Sequence, residues 1–166
     1  MKIISKLISI ITSLGVLLSC NNENINSESQ AQYANRTNFI DLTIKDKAGN
    51  NLLFHKSPNH ITDKDITVYY KSDKSRLVAV NNPNLSNPKG FIFSENDIRL
   101  YLMLPDKDQT ISYTFIELKN DIIYEFKSEF NVSKNNISLK NIWFENTQIW
   151  NEKKGLLKAE IVLPDF

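Results

Sequence analysis

Only one cysteine occurs in this 166-residue chain. A lone thiol excludes an internal disulfide framework and any Cys-rich zinc site. Histidine is nearly as scarce, with only His55 and His60, both in one segment. A Ser/His/Asp triad therefore has few ways to assemble. Glycine is limited to 4 residues. No Gly-rich phosphate loop, Gly-x-Ser-x-Gly elbow or His-Glu-x-x-His pair occurs. Neither charge sign is in excess, with 20 Lys and Arg against 19 Asp and Glu. That balance removes the electrostatic case for a nucleic-acid binder. What is present suffices for one domain with a small appendage. Hydrophobic residues make up 41% and aromatics 10%, enough to build a packed core.

The one long apolar run stands at the start. Lys2 and Lys6 precede a mostly apolar segment from Leu7 to Leu18. About a dozen residues at 1.5 Å rise cover ~18 Å, well short of the ~30 Å hydrocarbon core. Residues 1–19 therefore read as a signal peptide rather than a membrane span. Leu17-Leu18-Ser19-Cys20 resembles a bacterial lipobox. The resemblance implies cleavage before Cys20 and acylation of its sulfur. Several acyl chains anchor stably where one is marginal. The alternative is a plain secretory signal cut at Ser19, with Cys20 incidental. Taking Lys2 and Lys6 away leaves 18 basic against 19 acidic side chains, a mature charge of about −1. No basic cluster in the sequence singles out anionic lipid, so the expected membrane contact is the lipid anchor itself.

Residues 20–38 are polar, with Ile25 and Tyr33 as the only large apolar side chains after Cys20. Such a composition cannot offset the entropy of ordering and reads as a flexible tether. Glu23 and Glu28 are too separated to form an acidic export signal, which leaves the membrane face open.

From Phe39 to Phe166 the pattern has period two. Ile40, Leu42 and Ile44 alternate with Asp41, Thr43 and Lys45. Asp46 to Asn50 reads as a turn, and Asn51 to His55 as a segment that pairs back. Further apolar sets are Ile66/Val68/Tyr70, Leu77–Val80, Phe91/Phe93 and Ile98/Leu100/Leu102/Leu104. Then come Ile111/Tyr113/Phe115, Ile122/Tyr124/Phe126/Phe130, Ile137–Phe144 and Leu156–Leu163. Seven to nine short strands separated by turn chemistry predict an all-β fold. The expected architecture is an antiparallel β-sandwich, immunoglobulin-like or related.

Phe39-Ile-Asp-Leu-Thr-Ile-Lys-Asp-Lys-Ala-Gly-Asn-Asn-Leu-Leu53 resembles the opening of small Bacteroidetes envelope lipoproteins of unknown function. Asp65-Ile-Thr-Val-Tyr-Tyr70 and Leu102-Met-Leu-Pro-Asp-Lys-Asp-Gln-Thr-Ile-Ser-Tyr113 are similar to their later strands. The resemblance implies a β-sandwich and an envelope location, and no chemistry.

Four features invite a chemical reading. His55 and His60 with Asp63 and Asp65 hold metal-ligand residue types, but residues five apart in an extended chain point to opposite faces. Asp46–Asn50 and Asp106-Lys107-Asp108 are similar to fragments of calcium loops, without the ligand series or the terminal bidentate Glu. Both suit ordinary turns. Remote carboxylate pairs for glycoside hydrolysis are not excluded by sequence, and none is singled out. Trp143, Phe144 and Trp150 offer aromatic surface beside Asn and Gln, which suits a sugar ring when exposed. Trp143 and Phe144 should face opposite sides of a strand.

The expectation is a non-enzymatic binding or assembly module anchored at Cys20 in the bacterial outer membrane, without metal or other cofactor. Its partners would be the membrane and an envelope protein or glycan. Glycan binding through Trp143 or Trp150 is one alternative, and a hydrolase the other.

Overall fold

A computed structural model describes residues 35–71, 76–119, 121–164 and 166. The signal, lipobox and most of the expected tether lie outside them. Among the described residues no helix is long and apolar enough to cross a membrane. Two sheets pack face to face, as the period-two pattern predicts. Their strands are β1 (Asn35–Thr37), β2 (Phe39–Lys45), β3 (Thr67–Lys71), β4 (Leu77–Ala79), β5 (Phe91–Phe93) and β6 (Ile98–Tyr101). They continue with β7 (Ile111–Leu118), β8 (Ile122–Ser133), β9 (Asn136–Phe144), β10 (Thr147–Asn151) and β11 (Lys158–Val162). The larger sheet has the order β1-β9-β8-β7-β3-β4, with β10 also on β9, and the smaller runs β11-β2-β6-β5.

Among the described residues eleven strands replace the expected seven to nine. Two of the additions have little alternation to reveal them. β1 falls within residues 20–38, so the tether boundary is corrected: Asn35–Thr37 belongs to the sandwich, parallel to Asn136–Ser138 of β9. β10 follows a tight turn in which Glu145 and Asn146 both take positive φ, the geometry of a two-residue hairpin. Asn51–His55 forms no strand. A single bridge joins Lys45 to Asn51. The outer strands also depart from a purely antiparallel sandwich, since β11 runs parallel to β2.

The core lies between the sheets. Ile40, Leu42 and Ile44 from β2, Ile98 and Leu100 from β6, and Phe126 and Phe130 from β8 are fully buried or nearly so. Each such side chain contributes roughly 1.5–3 kcal/mol of burial. Phe144 stacks obliquely between Tyr124 and Phe126, at centroid distances of 5.6 and 5.2 Å. Gly90 is required where it stands. Its φ is +77°, and a Cβ would lie 3.1 Å from Val80 Cγ1.

Alternation alone points Ile111, Tyr113 and Phe115 inward. The structure turns them out and buries Ser112, Thr114, Ile116 and Leu118 instead. The reason lies at the end of β6. After Tyr101 the chain leaves the ladder, and Met103 has no strand partner. Thr114 Oγ1 accepts the Met103 amide at 2.8 Å, and Ser112 Oγ donates to the Met103 carbonyl at 2.5 Å. Buried backbone groups must be satisfied, and two hydroxyls on the inner face of β7 do it.

Tyr70 does point inward, and its hydroxyl donates to the Tyr101 carbonyl of the other sheet at 3.2 Å. Burial pushes this phenol up to about 12. Folded and unfolded chains both keep the proton below pH ~10, and above it the unfolded chain releases its proton first. Stability should therefore fall as pH rises from about 10 toward 12. Urea unfolding followed across that range should show a flatter limb in Tyr70→Phe than in the parent chain.

Candidate binding face

Strand pairing assembles one row across the outer face of the larger sheet. Tyr113 on β7 lies opposite Lys127 on β8, Lys127 opposite Trp143 on β9, and Trp143 opposite Gln148 on β10. Lys71 at the end of β3 continues the row, with its Nζ 5.7 Å from the Tyr113 ring centroid. Lys127 Nζ stands 5.0 Å from the Trp143 ring. Cation and aromatic thus alternate over four strands. Tyr113 and Trp143 are two strands apart, a separation of about 10 Å.

A second row sits beside the first, formed by Tyr69, Phe115 and Glu125. The Tyr69 hydroxyl donates to Glu117, and that bond holds its phenol above the ordinary range. On the other flank Glu129 accepts from Lys140 Nζ at 2.8 Å and from Asn141 Nδ2 at 2.6 Å. These bonds, the Lys140 contact first, keep the Glu129 carboxyl below its ordinary range. Gln148 Nε2 donates to Asn141 Oδ1 at 2.8 Å. The result is a half-buried aromatic surface edged by amide groups and ammonium groups. Rings of this kind stack on apolar ring faces, and the flanking amides and ammoniums meet hydroxyls.

The two tryptophans separate. Trp143 lies on this face, half-buried, while its neighbour Phe144 is buried on the opposite side. Trp150 is only 3% exposed, and its indole Nε1 donates to the Leu156 carbonyl at 2.6 Å. Trp150 therefore belongs to the core and offers no stacking face; the platform reading keeps Trp143 alone. Residues 71, 113, 127 and 148 carry no sequence signal for this site. Their juxtaposition depends on register between strands far apart in the chain.

A cleft of about 610 Å³ opens between the sheets at the end where the β9–β10 turn lies. Ile122, Tyr124, Phe144, Ile149, Ile161 and Pro164 supply its apolar lining, with Glu145 and Glu160 among its polar members. Both carboxylates are engaged. Glu160 pairs with Lys45 at 2.6 Å, and Glu145 accepts from the Glu125 amide at 2.6 Å.

The histidine segment assembles differently from a metal centre. His55 Nδ1 meets Glu95, while Asp65 closes a capping box with Thr62 and Asp63 pairs with Lys89 at 3.4 Å. Among the described residues no group of three or more His, Cys, Asp or Glu gathers to hold a metal. Asp46 accepts from the Asn50 amide at 2.8 Å and from Asn50 Nδ2 at 2.7 Å, closing its own turn. Comparison with known proteins found no matching family model, no matching curated protein and no matching solved structure.

Proposed function

We propose that this chain is a bacterial envelope lipoprotein, carried on acylated Cys20, that binds a glycan on the outer face of its larger sheet. The observation that supports it is the alternating row of Lys71, Tyr113, Lys127, Trp143 and Gln148. A row spanning five strands suits several linked rings better than one small molecule. Two carboxylates flanking the row, Glu117 and Glu129, are tied up in side-chain hydrogen bonds, as befits a surface that positions rather than transfers protons.

Trp143→Ala is expected to abolish glycan binding on an array of envelope and plant polysaccharides, while changing unfolding stability by no more than about 1 kcal/mol. Tyr113→Ala should weaken the same ligands. Absence of any glycan bound by the parent chain would sink the reading.

The apolar cleft supports a second reading, an assembly module that receives an apolar side chain from an envelope protein. Crosslinking from Thr147→Cys at its mouth, with a named partner captured reproducibly and lost on Ile123→Glu, an exposed residue of the same lining, would favour it over the first.

A further inference from the structure

Chain direction places several loops at one end of the sandwich. β1 runs parallel to β9 with Asn35 opposite Asn136. The described chain therefore begins beside the turn that joins β8 to β9. The segment between β10 and β11 lies at the same end. Asn131 Nδ2, near the end of β8, donates to Glu152 at 2.9 Å, and the Asp41 amide donates to the Leu157 carbonyl at 2.9 Å. The cleft and the β9–β10 turn are at the opposite end.

This basal end carries an unusual pair of side chains. Leu156 is 80% exposed, the most exposed of the large hydrophobics described, and Val132 is 40% exposed. Lys134 is exposed two residues after Val132, and Lys153 and Lys154 are exposed just before Leu156, with Lys154 Nζ donating to the Ile149 carbonyl at 2.8 Å. Glu152 is the one acidic neighbour in the Glu152–Leu156 segment. Single exposed apolar residues are ordinary. The coincidence that matters is with the point where the described chain begins. Apolar side chains framed by ammonium groups suit the boundary between headgroups and acyl chains, and lysines close to an anionic surface are drawn to it. Asp106 and Asp108 lie at the same end, on the β7 side, so the corner favoured for contact is the one beside β9.

We propose that this corner, Val132 and Leu156 with the exposed Lys134 and Lys153, rests on an anionic bilayer and orients the domain with its cleft pointing away. The proposal rests on the lipid-anchored reading of Cys20. A lipid anchor by itself does not set the attitude of the domain; the basal corner selects one.

The test uses the chain beginning at Cys20, which keeps every described residue. Its single thiol is coupled to a maleimide-headgroup lipid, so the anchor is supplied whether or not cells acylate it. Vesicles contain phosphatidylglycerol with phosphatidylcholine, or phosphatidylcholine alone. Hydrogen exchange is expected to slow several-fold at 131–136 and 152–157 on the anionic vesicles, with 145–148 unchanged. High salt, or Lys153→Glu with Lys154→Glu and Leu156→Ser, should remove the protection. Equal exchange at the basal segments on both vesicle types, or protection at 145–148 instead, would overturn the proposal. Palmitate incorporation into the full chain in cells tests the anchor separately, so failure of one is not mistaken for failure of the other.

Discussion

Replacing Trp150 with alanine is expected to destabilise the domain by about 3–5 kcal/mol, the range for removing a large aromatic from a packed interior. The indole is 3% exposed and its Nε1 donates to the Leu156 carbonyl at 2.6 Å. Alanine loses the packing and opens a cavity that the strands around it can close only in part. Trp150→Phe restores most of the apolar volume and forfeits the hydrogen bond. Leu156 keeps a second donor, the Lys158 amide at 2.8 Å, so the phenylalanine variant should lose only about 1 kcal/mol beyond any repacking cost. Urea unfolding measures both. A change below about 1 kcal/mol for the alanine variant would show that the ring is not part of the core. The comparison also guards the functional test. A binding defect in Trp150→Ala reports unfolding, whereas one in Trp143→Ala reports the face.

Thr114→Val should cost about 1–3 kcal/mol despite preserving shape, because it strands the buried Met103 amide. Thr114 is fully buried and accepts that amide at 2.8 Å. Ser112→Ala removes the donor to the Met103 carbonyl and should cost a similar amount. The two substitutions act on the two backbone groups of one residue, Met103, so their effects should not simply add. Hydrogen exchange at Met103 should quicken in Thr114→Val while amides in the β8–β9 ladder stay protected. Unchanged stability and exchange would mean that water or a shifted backbone already satisfies Met103.

Acid behaviour follows from the carboxylates. Asp46, Asp65 and Glu129 all have folded-state values below their ordinary ones, chiefly through side-chain hydrogen bonds from Asn50, Thr62 and Lys140 respectively. The stability they contribute is present above the ordinary values of 3.8 and 4.5 and is lost as pH falls through the depressed ones. Acid and alkaline limbs thus have different owners, hydrogen-bonded carboxylates on one side and the phenols of Tyr70 and Tyr69 on the other.

Much of the sandwich was legible from alternation. The inner faces of β2 and β8 match the predicted apolar sets, because the side-chain period of a strand is two and one face must avoid water. The Asp46–Asn50 turn carries its own chemistry in Asp, Gly and Asn. β7 misleads the same rule. Its two inner hydroxyls serve a peptide from another segment, so polarity there marks a buried acceptor and donor rather than exposure. β1 and β10 are also invisible to alternation, since the edge of β9 they share has meaning only once β9 is in place.

Local pattern determined the class of fold, the principal strands and the opposite faces of Trp143 and Phe144, since these depend on neighbours one or two residues away. Tertiary structure alone decided that Trp150 is core and that Tyr113 is surface. It also decided that Lys71, Tyr113, Lys127, Trp143 and Gln148 form one row. Such choices are made by register between strands and by which sheet a segment crosses, and both involve partners dozens of residues distant. No local period encodes them.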